Sequence, residues 1–172
     1  MLMARMEPEN NVEIILDGFH NSNSSKKFIV IGNVQNRFGK YLVNKFKNDE
    51  RIQFAGSIFI PENVNNLLAN AYIYFHGHSV GGTNPSLLQA MANKVLIAAH
   101  NNAFNHAVLQ NDGLYFSDYK DVQNIIDNTQ SGENEEKMKK NNLEKISSEF
   151  DWEKIIDQYE KFIKECYHKL NQ

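Results

Sequence analysis

Apolar residues in this chain fall into short runs that alternate with stretches where they recur every three or four positions. The runs suit buried strands and the spaced stretches suit amphipathic helices. Residues 1–6 read as a strand, and 9–19 as a helix whose face is Val12, Ile15, Leu16 and Phe19, with Ile14 at its edge. A polar loop rich in serine and asparagine follows at 20–26. Phe28-Ile-Val-Ile31 is a strand ending at Gly32, and 38–47 is a helix with Tyr41, Leu42 and Phe46 inward. A strand at 52–55 stops at Gly56. A helix at 61–71 opens with Pro61 and Glu62, both favourable in a first turn. Further strands are expected at 71–75, 95–98 and 114–116, with further helices from Pro85, at 104–109 and at 121–128. Residues 131–140 are highly charged and read as an exposed, solvated face. Residues 151–170 read as an amphipathic helix, and its stripe of Trp152, Ile155, Ile156, Tyr159, Phe162 and Ile163 is expected to pack as core.

Strands alternating with helices predict an α/β fold, a doubly wound parallel sheet with helices on both faces, in one domain over 1–172. Connections in such a sheet are right-handed, and ligands sit at the carboxyl ends of its strands. Arg5, Gly32, Gly56 and residues 76–84 all fall at predicted strand ends, so they should line one edge.

One stretch of that edge carries chemistry. After the apolar strand, Gly81 and Gly82 leave room for a ligand to approach the backbone. Asn84 then suits an N-cap and Pro85 a first helical position. A helix start behind a glycine turn offers free N–H groups and a positive dipole end, a setting for phosphate. A plain tight turn is the other reading of Gly81–Gly82, and capping alone the other reading of Thr83 and Asn84. His76 and His78 flank Gly77 with no third metal ligand nearby. Two histidines so spaced are more often structural than zinc-binding, and we expect no metal. No Asp-x-Asp pair is present either.

The net charge of −3 and a pI near 6.1 exclude the basic footprint of a nucleic-acid binder. Cys166 is the one cysteine, so no intramolecular disulfide forms, and a reducing cytoplasm fits. No run approaches the roughly 20 apolar residues of a membrane span. The opening Met1-Leu-Met-Ala-Arg5 has no signal-peptide core and reads like mid-strand, as though cut from a longer chain. No Gly-x-Gly-x-x-Gly follows the first strand, against a dinucleotide-dependent oxidoreductase.

Three segments, Ala4-Arg-Met-Glu-Pro-Glu-Asn-Asn11, Gly81-Gly-Thr-Asn-Pro-Ser-Leu-Leu-Gln89-Ala-Met and Phe150-Asp-Trp-Glu-Lys-Ile-Ile-Asp-Gln-Tyr159, carry a resemblance that runs in order along nearly the whole chain. They resemble the first strand-to-helix turn, the Glu-x7-Glu signature and the terminal helix of the C-terminal, donor-binding domain of a family 4 glycosyltransferase of the two-domain GT-B type. The pattern is most similar to bacterial surface-polysaccharide enzymes of O-antigen and capsule synthesis. Aligned on Leu87-Leu88, the two acidic residues of the signature fall on Gly81 and Gln89. Gly81 offers only backbone groups, and Gln89 has no charge.

The resemblance implies a retaining, metal-independent glycosyltransferase with no cofactor beyond its nucleotide-diphospho-sugar, a UDP-N-acetylhexosamine, a UDP-hexose or dTDP-rhamnose. The acceptor would be a lipid-linked glycan at the inner face of the cell membrane, bound by an N-terminal domain this chain lacks. The chain alone would then bind donor weakly and transfer little. Arg5 is implied as the catalytic group on the diphosphate, with Asn11, His78, Gly81, Gly82, Thr83 and Asn84 around diphosphate and sugar. Gln89 would meet the ribose. Gly56, Ser57 and Ile58 would meet the base chiefly through backbone atoms, with Phe59 beside them or in the core. Fixed donors aimed at the charge building on the departing diphosphate are commonly the largest catalytic contribution. The bland counterparts are a surface ion pair for Arg5 and a plain helix position for Gln89. A non-catalytic module binding a nucleotide or phosphosugar is the alternative, kept open by Gly81 and Gln89.

Overall fold

The computed structural model describes residues 1–170. Six strands make one parallel sheet in the order β3-β2-β1-β4-β5-β6. They are β1 (Leu2–Met3), β2 (Phe28–Ile31), β3 (Ile52–Gly56), β4 (Tyr74–His76), β5 (Ile97–His100) and β6 (Leu114–Phe116). Each is followed by a helix: α1 (Val12–His20), α2 (Arg37–Phe46), α3 (Pro61–Ala69), α4 (Pro85–Ala92), α5 (Ala103–Leu109) and α6 (Tyr119–Asn128). Two more helices, α7 (Glu133–Glu149) and α8 (Trp152–Leu170), close the chain. This is the doubly wound α/β fold expected from the apolar pattern.

Alternation along the strands splits the core in two. Phe75 and Ala98 face α1, α2 and α6, while Tyr74, Ile97 and Ala99 face α3, α4 and α5. The α1 face is as expected, with Val12, Ile15, Leu16 and Phe19 buried. Gly18 brings α6 close, since a Cβ there would lie 2.5 Å from Val122. β1 is shorter than expected, but its ladder runs further: the Met1 amino group donates to Ile73 and Ala4 N–H to Ile31. β4 starts later, at Tyr74, and takes in His76.

Two expectations need correction, on Tyr41 and on the α8 stripe. Tyr41 is largely exposed, because its hydroxyl reaches out to Glu13 at 2.5 Å. Residues 131–140 are largely exposed, as expected, and from Glu133 they form the first turns of a continuous helix, α7, that is fastened further on. There Lys145 is buried, donating to the Leu109 carbonyl and pairing with Asp112, each at 2.7 Å. The stripe on α8 is not core: Trp152 is 76% exposed, and Ile156, Tyr159, Phe162 and Ile163 are exposed too. Amphipathicity holds along α8, but among the described residues no other element covers that face.

Candidate functional site

The order of the sheet reverses between β1 and β4, so the loops leaving these strands diverge and open a crevice at their carboxyl ends. A cleft of about 620 Å³ lies there, within the roughly 300–1,000 Å³ of small-molecule sites. Its walls are Ala4–Glu7 after β1, Gly32–Asn33 after β2, Ser57–Phe59 after β3, and His78 with Asn84–Ser86 after β4. Arg5, Ser57, Ile58, His78 and Asn84 therefore come together around one cavity.

The β1 and β4 loops touch through glycine. A Cβ on Gly77 would lie 2.0 Å from the Asn10 carbonyl oxygen, so only glycine allows this approach. Asn11, in the left-handed region at φ 50°, donates from its side chain to the Gly77 carbonyl at 2.8 Å. Ser79 donates through N–H and Oγ to Glu9 O. Asn10 donates back to Arg5 O at 2.8 Å, closing the turn that carries Arg5. The amide nitrogen of Asn11 is thus engaged in joining the loops.

The Arg5 side chain is exposed and makes no hydrogen bond or ion pair among the described residues. His78 stands near it: burial, then the Arg5 charge, hold the His78 imidazole below its usual pKa. His78 stacks on His76 with ring centroids 4.5 Å apart. His76 is fully enclosed, and burial followed by the His78 charge pushes it down to about 3. Both rings are therefore neutral near pH 7, leaving Arg5 as the positive group in this part of the cleft.

The free N–H groups lie in the expected turn but not at the helix start. Pro85 has none, the Asn84 side chain accepts from Ser86 N at 3.0 Å, and Asn84 O accepts from Leu87. The first turn of α4 is satisfied by its own cap. The amides of residues 81–84, in contrast, have no acceptor among the described residues. Gly81 is at φ +100°, and a Cβ on Gly81 or Gly82 would meet nothing within 4 Å. Gly81, Gly82 and Thr83 are exposed and lie outside the cleft walls, in the loop that leads to Asn84, and their amides are free to donate.

Gln89 lies one turn below the cleft, outside its walls. Its Nε2 donates to Asn65 on α3 at 3.0 Å, and Asn93 donates to the same oxygen at 3.1 Å. Gly56 ends β3 behind the wall, its carbonyl accepting from Gly32 N–H. Phe59 is 90% exposed, so it is not core. Sequence reasoning missed Glu7, Asn36 and Ser86. Asn36 caps α2 by accepting from Gly39, and it donates to Met6 O and to Glu7. Nothing in its local sequence marks it beyond N-cap chemistry. Among the described residues, no three His, Cys, Asp or Glu could hold a metal ion together, and no helix is long and apolar enough to cross a membrane.

Residues 1–148 match the family described as glycosyl transferases group 1. The chain belongs to this family. No curated protein matches it significantly in sequence. Solved structures share the fold. HepE (Alr3699) of Anabaena, in complex with UDP and glucose, superposes with a TM-score of 0.78 at 14% identity, over 95% of this chain and 47% of that one. Sucrose-phosphate synthase of Thermosynechococcus elongatus gives 0.77 at 16% identity, over 98% and 45%. The C-terminal domain of the group 1 glycosyl transferase LpcC of Francisella tularensis gives 0.72 at 15% identity, over 88% and 85%. The chain spans about half of the first two and most of the third, so its fold is that of the C-terminal domain of a GT-B glycosyltransferase.

The neutral histidines give this group 1 domain a testable acid response. His76 titrates near 6.5 when unfolded and about 3 when folded. Between those values the unfolded chain binds more protons, so stability falls as pH falls from 6.5 towards 3. His76 alone contributes a slope approaching about 1.4 kcal/mol per pH unit. Denaturant unfolding at several pH values between 6 and 4.5 should show this slope, reduced by about that amount in His76→Phe. An equal slope in both proteins would mean that burial does not keep His76 neutral.

Proposed function

We propose that the chain is the donor-binding half of a retaining glycosyltransferase that takes a nucleotide-diphospho-sugar and needs no metal. The observation that carries this reading is the unpaired Arg5 in a cleft at the switch point of the sheet, with Asn84 in its wall and the unbonded amides of 81–83 in the loop that leads to that wall. A diphosphate in that place would meet a cation and a row of fixed N–H dipoles, which suit charge developing on a leaving group. His78 would face the sugar as a neutral donor or acceptor. Asn11 would act by holding the Gly77 turn. Gly56, Ser57 and Ile58 would frame the base. HepE, which shares the fold, is described in complex with UDP and with UDP-glucose, which supports a uridine donor here. The finer reading comes from the resemblance: a UDP-N-acetylhexosamine, UDP-hexose or dTDP-rhamnose donor, and a lipid-linked glycan acceptor in O-antigen or capsule synthesis. The enzyme would work in the cytoplasm, peripheral to the inner membrane face. The chain by itself is expected to bind donor and to transfer little. A robust transfer rate from this chain alone would overturn that division of labour.

A second reading, a module that binds without turning over, is favoured by Gln89, whose side chain braces α3 against α4. Gln89→Glu separates the roles. A carboxylate there loses the donor that Asn65 accepts, so a brace predicts a lower melting temperature with unchanged UDP affinity. A ribose contact predicts a several-fold change in affinity.

A further inference from the structure

Resting on the nucleotide-sugar reading above, we propose that the Phe59 ring is the platform on which the donor's base stacks. Phe59 is more exposed than any other large apolar side chain among the described residues, at 90%. Leaving a phenyl ring in water forgoes the stabilisation of burial. Its neighbour Ile58 packs against the core, so the turn does not lack places to hide an apolar group. Among the described residues no other ring stacks on Phe59. The ring also forms part of the cleft wall with Ser57 and Ile58.

Its position suits a base. Phe59 leaves β3, while Arg5 leaves β1, and β2 alone lies between them. Two strand spacings amount to about 10 Å. A nucleoside diphosphate with its phosphates at Arg5 and the 81–84 amides can therefore extend its base towards β3. The backbone next to the ring is conformationally restricted. Ile60 is extended, as a residue before proline must be, and Pro61 starts α3. Stacking accepts any base, so Phe59 supplies affinity, and choice among bases falls to the backbone groups of 56–58.

The test is calorimetric titration of the 172-residue chain and its Phe59→Ala, Phe59→Leu and Phe59→Tyr variants with UDP and with inorganic pyrophosphate. The side chain is exposed, so all three variants should keep the wild-type melting temperature. Stacking predicts UDP affinity weakened about 5- to 100-fold in the alanine and leucine variants and retained within about twofold by tyrosine. Pyrophosphate, which has no base, should bind all four proteins alike. UDP binding unchanged in Phe59→Ala overturns the stacking role and leaves the nucleotide reading standing. An equal loss of UDP and pyrophosphate also overturns it, since the ring would then shape the phosphate end. No UDP binding by the wild-type chain overturns both.

Discussion

Alanine at Gly77 is expected to lower the melting temperature by roughly 6–12 °C, while alanine at Gly82 changes it by less than about 2 °C. The contrast follows from what each new methyl group meets. At Gly77 it would lie 2.0 Å from the Asn10 carbonyl oxygen and 2.9 Å from Ile15 Cδ1; at Gly82 it meets nothing within 4 Å. Overpacking against a backbone atom costs about 3 kcal/mol, and each kcal/mol moves the midpoint of a domain this size by about 2–4 °C. Relief requires the Asn10–Asn11 turn to move, and that turn is tied to Arg5 through Asn10. Gly77→Ala should therefore weaken ligand binding as well. Scanning calorimetry of both variants checks the first effect. Equal melting temperatures would show that the β1 and β4 loops are not in close contact.

Arg5→Ala is expected to weaken UDP binding by about 10- to 100-fold without loss of stability. A charge-assisted hydrogen bond to phosphate contributes about 1.5–3 kcal/mol. Arg5 has no partner among the described residues, so removing it breaks nothing internal. Arg5→Lys should fall between, because an ammonium keeps the charge but loses the two-pronged geometry. The Arg5→Ala loss should shrink as salt is raised, since an exposed charge is screened. An Arg5→Ala variant that binds UDP as the wild type does would return Arg5 to the role of a surface cation.

The fold was legible because its strands are continuous apolar runs and its helices repeat at helical spacing. Ile29, Val30 and Ile31 can hardly be anything but a strand, and Val12 to Phe19 hardly anything but a helix face. The edge bearing the site was legible for a related reason: strand ends in a parallel sheet share one side, so Arg5, Gly32, Gly56 and 76–84 fall on one edge, where Arg5, Gly32, His78 and Asn84 line the cleft. Direction and partnership were not legible. The resemblance aligns Gln89 with an acidic residue, but alignment does not say that its amide turns to Asn65 on another helix. Proline and Asn84 marked a helix start, yet the same cap that marks it also consumes the first-turn amides. The stripe on α8 has the spacing of a buried face, and spacing alone does not supply the surface that would bury it. Lys145 is the converse, a charge in a polar segment that is buried because Asp112 and the Leu109 carbonyl await it.

The most direct measurement is an amide-resolved NMR titration of the chain with UDP, with GDP and NAD as comparisons. Saturable shifts are expected with UDP, concentrated at residues 81–84, at Arg5 and at 57–59, and absent with NAD. A folded sample whose UDP-induced shifts map away from the β1–β4 crevice, or that shows none, would contradict the nucleotide-sugar reading.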